Sequence, residues 1–278
     1  MSDTNREMTY TMGRSKEEAE RLIQQSGLYE DITRRLLRDA GLFAGMKVLD
    51  IGSGAGDVAF AAAELVGSEG EVVGVDMNAE ILETARSRAQ EAGLANVQFM
   101  AGDAQTLDLP SDFDALIGRL VLMYLADPVD TLKQLAARVR PGGIVAFQEV
   151  EFSTYKATAR PNTPLLNQLA EWGIEVFRRS GANVGMGLDL YGTFVDAGLP
   201  EPTLQYSAPV GGPAAWAGYQ FIAHGFRSLI PLLEAYGIAT AQEVDLDTLG
   251  ERLRAEVVAS KRPLILPPHV TAWVQLPA

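Results

Sequence analysis

The chain has 278 residues, with 36 Asp and Glu against 23 Lys and Arg, a formal net charge of −13 and a pI near 4.6. That balance argues against a general binder of nucleic acid or anionic membrane, because neutralising phosphates takes clustered cations. Zero cysteines exclude disulfide and thiolate chemistry, and two histidines, His224 and His269, make a zinc site improbable, so no metal is expected. The polar N-terminus holds no apolar run long enough for a signal peptide or membrane span, and cytoplasmic residence is the expectation.

In chain order, Ser15 to Glu18 reads as a capping box that starts a helix reaching about Gln25. A second helix runs from about Tyr29 to Ala40, with Tyr29, Ile32, Leu36 and Leu37 on one face, and Gly41 stops it. Preceding the first core strand, the pair is placed to fold over a ligand as a lid. From Leu49 on, strand and helix alternate, which implies right-handed crossovers and a parallel sheet. The strands are expected near Val48 to Ile51, Glu71 to Asp76, Asn96 to Gly102, Phe113 to Gly118 and Ile144 to Glu149. Asn78 caps one helix, Asp127 with Pro128 starts another ending near Val139, and Arg140-Pro141-Gly142-Gly143 turns into the fifth strand. Further helices are expected at Pro164 to Arg178, Met186 to Ala197, Pro213 to Leu229, Ile230 to Tyr236 and Leu246 to Val258. Pro202 to Pro209 and His269 to Leu276 complete the sheet as antiparallel partners at its edge. The fold class is therefore α/β, a Rossmann-like doubly wound seven-stranded sheet, mostly parallel with the last strand antiparallel. One domain is expected over 1–278: lid helices to residue 43, a core over 44–150, then cap helices and the last two strands.

The stretch from Lys47 to Asp57, K-V-L-D-I-G-S-G-A-G-D, organises the rest. A buried apolar strand gives way to Gly52, Ser53, Gly54 and Gly56, and a helix opens at once. The missing side chains let a ligand approach the backbone, and free N–H groups of the helix N-terminus point at it. Nicotinamide and flavin proteins use a similar turn. Asp50 is the distinguishing residue: two positions before the first glycine, it would repel a diphosphate but not an ammonium or a sulfonium.

The V-L-D-I-G-S-G-A-G segment closely resembles the first motif of class I S-adenosylmethionine-dependent methyltransferases, most strongly those related to ubiquinone and menaquinone biosynthesis. The resemblance covers roughly residues 45 to 150. It implies that Asp76 takes two ribose hydroxyls, that Met77 lies against adenine, and that Asp103 and Ala104, following Gly102 in A-G-D-A-Q, read the adenine edge. It further implies that the Arg119-Leu120 backbone holds the methionine ammonium while its side chains face the methyl group. Tyr10, in T-Y-T-M-G, is placed to reach the cofactor when the lid closes.

Displacement at an activated sulfonium needs alignment, exclusion of water and, for some acceptors, a base. The second half supplies an apolar and aromatic cap with Phe152, Tyr155, Trp172, Phe177, Trp216, Tyr219, Phe221 and Phe226, which favours a small apolar or aromatic acceptor. His224, on a helix face with Gln220, Phe221 and Ser228, is the candidate base. One of Gln148, Glu149 and Glu151 is placed to orient the substrate, whereas His269 is expected to cap the last strand or face solvent. The expected activity is methyl transfer to O, C or N of a small molecule, and the oligomeric state, monomer or homodimer, stays open. Three other readings remain on the sequence: a non-methylating enzyme of the same fold, such as a cyclase or lyase; a non-catalytic binding protein; and a nicotinamide oxidoreductase, against which Asp50 and Asp103-Ala104 count.

Overall fold

A computed structural model describes residues 16–155 and 163–278, with side chains from residue 27 onward. Helix α1 (Lys16–Asp39) leads into β1 (Lys47–Ile51), α2 (Asp57–Val66), β2 (Glu71–Asp76), α3 (Ala79–Glu91), β3 (Val97–Ala101) and β4 (Phe113–Arg119). A 3-10 turn at Leu122–Tyr124, α4 (Pro128–Ala136) and β5 (Val139–Val150) follow. The remainder comprises α5 (Pro164–Arg179), α6 (Met186–Asp196), β6 (Thr203–Ser207), β7 (Val210–Gly211) and α7 (Gly218–Ala235). It closes with α8 (Ala241–Val244), α9 (Leu246–Ser260), β8 (Leu264–Ile265) and β9 (His269–Gln275).

Seven strands form one sheet in the order β3-β2-β1-β4-β5-β9-β6. β1 to β5 pair in parallel, and β9 runs antiparallel to both β5 and β6. Because the order reverses between β1 and β4, the sheet has a switch point there, and the carboxyl ends of the strands open a crevice. β1 shows why its run of apolar residues is needed: Val48 and Leu49 are both fully buried, Val48 in the layer with α2 and α3, Leu49 in the layer with α4, α5, α6 and α7. Each contributes about 1.5–3 kcal/mol of burial.

Several expectations change. α1 is one helix, not two, and runs straight through Ser26-Gly27. A glycine in a helix interior costs about 1 kcal/mol, which the burial of Tyr29, Thr33, Leu36 and Leu37 along one face exceeds. The Ser15 cap lies outside the described residues. α7 likewise continues through Pro231, which sits on the exposed side while Leu229 and Leu233 are buried. The Arg140-Pro141-Gly142-Gly143 turn is absorbed into β5 as a bulge, with Phe113 opposite Val139 and Ala115 opposite Ile144. α4 stops at Ala136, earlier than expected. β9 is an interior strand, and only β6 lies at that edge. The caps at Asn78 and Asp127 form as expected, through bonds from Glu80 and Ile81 and from Asp130.

Candidate active site

A cavity of about 990 Å³ opens at the switch point and runs from the glycine loop into the helical cap. Its polar end is built by four strand ends. The loop after β1 turns through left-handed glycines, Gly52 (φ 63°), Gly54 (φ 52°) and Gly56 (φ 92°). A Cβ at Gly52 would stand 2.8 Å from Val121 Cγ2, so the loop presses directly on the segment after β4. At the end of β2, Asp76 accepts from Gly54 N–H (2.9 Å) and Asn78 N–H (2.8 Å), which fixes its carboxylate against the glycine turn. Asp103, after β3, accepts from Gln105 N–H (2.9 Å). Met77 lines the rim and is 74% exposed, an apolar flap at the mouth.

Leu120, after β4, sits at φ 57°, a region that a leucine rarely occupies and that costs about 1–2 kcal/mol. Its N–H donates to the Gln148 carbonyl (2.9 Å), while Glu149 Oε1 accepts from Val121 (3.0 Å) and Leu122 (2.8 Å), so β5 clamps the bend from behind. Burial pushes the Glu149 carboxyl up to about 7, against the pull of those backbone N–H groups. The Arg119 side chain points inward to Thr33 Oγ1 (3.1 Å) and Asp57 (3.7 Å), and Asp57 also pairs with Arg88 (2.7 Å).

With Asp57 balanced by two guanidinium groups, the polar end offers the carboxylates of Asp76 and Asp103, exposed loop backbone, and a Ser53 Oγ that has no partner among the described residues. This donor set fits a cationic nucleoside with ribose hydroxyls and opposes a diphosphate.

Of the residues named from sequence, Gly52, Ser53, Gly54, Asp76, Met77, Gly102, Asp103, Ala104, Arg119 and Leu120 line this cavity together. Gly56 stands behind it as the cap of α2. Asp50 lies one layer back, fully buried, with neither carboxyl oxygen hydrogen-bonded among the described residues. Burial pushes its carboxyl up to about 8, opposed by the Arg119 charge and reinforced by Asp76. Tyr10 lies outside the described residues.

In the cap, Phe152, Tyr155, Phe177, Phe221 and Phe226 line the apolar end, whereas Trp216 and Tyr219 pack edge to face against each other away from it. His224, on the same helix, is not among the lining residues; the lining imidazole is that of His269. Instead of facing solvent, His269 is 2% exposed, because β9 is flanked on both sides. It stacks on Tyr29 with centroids 4.0 Å apart. Burial, then the Arg119 charge, holds it down to about 3, so it is neutral at ordinary pH. Gln148, Glu149 and Glu151 are all fully buried and none lines the cavity; Glu151 instead accepts from Ser153 and Leu188 N–H groups. Tyr29, Asp57 and Asn78 join the lining without having been singled out for it.

A strand-order switch with carboxylates and a glycine turn at its rim is the arrangement of a class I nucleoside-binding fold that places a second molecule beside the first. A methyltransferase domain model matches residues 42–180, half of the chain, and the chain belongs to that family of S-adenosylmethionine-dependent methyltransferases. It is 38% identical over 138 residues to the aklanonic acid methyltransferase DauC of Streptomyces sp. strain C5, covering 49% of this chain and 63% of that one. It is 31% identical over 193 residues to the ubiquinone/menaquinone biosynthesis C-methyltransferase UbiE of Coxiella burnetii, covering 65% of this chain and 76% of that one. In fold it resembles phosphoethanolamine N-methyltransferase 2 of Haemonchus contortus, solved with phosphomonomethylethanolamine and S-adenosylhomocysteine. That match has a TM-score of 0.59 at 16% identity and covers 92% of this chain and 57% of that one. Among the described residues no helix is long and apolar enough to cross a membrane, and no group of His, Asp and Glu is disposed to hold a metal ion.

Proposed function

We propose that this chain transfers the methyl group of S-adenosylmethionine to a small, largely apolar organic acceptor. The observation that carries the reading is a single cavity, acidic and glycine-lined at one end, aromatic at the other, at the upper limit of the roughly 300–1,000 Å³ typical of ligand sites. It has room for a nucleoside and an acceptor end to end. Gly52, Ser53, Gly54 and the Arg119-Leu120 backbone would hold the amino-acid portion; Asp76 would take the ribose, Met77 would cover the base, and Asp103 with Ala104 would read its edge. Gly56 and Asp50 support the loop from behind, and Tyr10 would close over it. Bound there, the cofactor supplies an electrophilic methyl group on a leaving group that is already activated. The chain's own residues then align the acceptor and exclude water.

The lid (1–43), core (44–150) and cap (151–278) form one catalytic domain in this account. The acidic surface and the lack of cysteine support a cytoplasmic enzyme of small molecules rather than of nucleic acid. The names of DauC, an aklanonic acid methyltransferase, and of UbiE, a ubiquinone/menaquinone biosynthesis C-methyltransferase, support an organic small-molecule acceptor. Incubation with methyl-labelled S-adenosylmethionine and a small-molecule extract tests the reading. Label should pass into an organic-soluble product in native protein and, at limiting cofactor, much more slowly in Asp76→Ala; turnover of an acceptor without label would favour a cyclase or lyase.

A further inference from the structure

Four side chains from distant parts of the chain form one hydrogen-bonded line that ends in the cavity. Arg119 Nη1 donates to Thr33 Oγ1 (3.1 Å), Thr33 Oγ1 donates to Gln148 Oε1 (2.8 Å), and Gln148 Nε2 meets His269 Nδ1 (2.7 Å). A guanidinium has no acceptor, so the direction is set at its first member. With Arg119 donating, Thr33 passes its proton on to the Gln148 oxygen, and the Gln148 amide N–H is left to face His269. The opposite amide orientation would place two N–H donors on one threonine oxygen and leave the threonine proton only the longer 3.3 Å contact to the Tyr29 carbonyl. His269 Nδ1 is therefore an acceptor. A neutral imidazole carries one proton, and it must reside on Nε2, which has no partner among the described residues.

We propose that Arg119, Thr33 and Gln148 hold His269 as its Nε2–H tautomer, and that this N–H seats an oxygen of the methyl acceptor, a ketone, enolate or phenolate. Two tyrosine hydroxyls of that end are already engaged: Tyr29 donates to the Pro267 carbonyl (3.0 Å) and Tyr155 to the Ile265 carbonyl (3.1 Å). A wholly hydrocarbon surface would leave the Nε2–H unsatisfied, at a cost comparable to a lost hydrogen bond. The lock has a second consequence. An Nε2 that bears a proton has no lone pair to compete with the acceptor for an electrophilic methyl group, so the imidazole can stand beside the donor without being alkylated. His269 is thus a donor that positions and stabilises an oxygen, not a base, and Gln148, Thr33 and Arg119 are its positioning residues. The choice of acceptor rests on the methyl-transfer reading; the tautomer does not.

Nitrogen NMR on the full chain with 15N-labelled histidine tests the first half, because only two imidazoles report and His224→Gln assigns them. The His269 signals should show Nε2 protonated and Nδ1 bare, and Gln148→Glu, which puts an acceptor at Nδ1, should move the proton to Nδ1. A native Nδ1–H, a mixture of tautomers, or no change in Gln148→Glu would overturn the lock. For the second half, α-tetralone and tetralin, which differ by one carbonyl oxygen, are titrated with and without S-adenosylhomocysteine. The ketone should bind about ten-fold more tightly, and both His269→Phe and Gln148→Leu should erase that preference while tetralin affinity stays within about two-fold. Equal affinities, no binding of either compound, or a preference surviving in both variants would overturn it. A ketone preference in a protein that fails to bind S-adenosylhomocysteine would instead sink the methyl-transfer reading and leave this one standing.

Discussion

At the glycine end of the cavity the lining comes from four strand ends between Gly52 and Leu120, where the Asp76 carboxylate accepts from the Gly54 and Asn78 backbone N–H groups and Gln148 and Glu149 hold the bend after β4. At the aromatic end the imidazole belongs to residue 269, and its supports to residues 33, 119 and 148. The first end gathers the turns that follow neighbouring strands of the parallel sheet; the second exists only once α1, β4, β5 and β9 have packed together. The glycine end should accordingly fail through backbone geometry and the aromatic end through side-chain identity.

The largest effect is expected at the glycine turn. Gly52→Val forces a branched side chain at φ 63° and 2.8 Å from Val121, so S-adenosylhomocysteine affinity should drop by at least about 100-fold in calorimetry. Asp76→Ala removes the acceptor of two backbone N–H groups as well as a ribose contact, and a loss of about 30-fold is expected, with a lowered thermal midpoint. Retention of native affinity in either variant would detach the nucleoside from this loop.

The buried carboxyls give an effect on stability. Asp50 is pushed from 3.8 up to about 8 and Glu149 from 4.5 up to about 7, so between those limits the folded state holds protons that the unfolded state has released. Their contribution is present at low pH and is lost as pH rises through that window. In thermal melts of the ligand-free protein, Asp50→Asn should reduce the fall in midpoint between about pH 4 and pH 8; an unchanged slope would mean that Asp50 is ionised where it lies. The smallest effect is at the mouth. Met77 is mostly exposed, and Met77→Ala should weaken S-adenosylhomocysteine by about three-fold, leaving stability unchanged.

The same contrast explains what could be read in advance. The glycine turn and the strand succession are legible because each is a local pattern of a few neighbouring residues, whereas Asp76 and Asp103 stand out through the resemblance of the segments that carry them. Helix continuity at Gly27 and Pro231 is not legible, since burial of Tyr29, Leu229 and Leu233 decides it and burial is set by partners far along the chain. His269 differs from its expectation for the same reason: the start of a last strand reads as solvent-facing until β6 is known to lie outside β9. Thr33 carried a faint signal, a hydroxyl one turn after Tyr29 on an otherwise apolar helix face. Nothing in its neighbourhood indicated that Gln148 would meet it.

Calorimetric titration of the native protein with S-adenosylhomocysteine and, separately, with NAD tests the central claim most directly. A carboxylate-rimmed glycine loop built for a cationic nucleoside predicts saturable one-to-one binding of S-adenosylhomocysteine and no heat from NAD. Binding of NAD in its place, or of neither, would contradict the account.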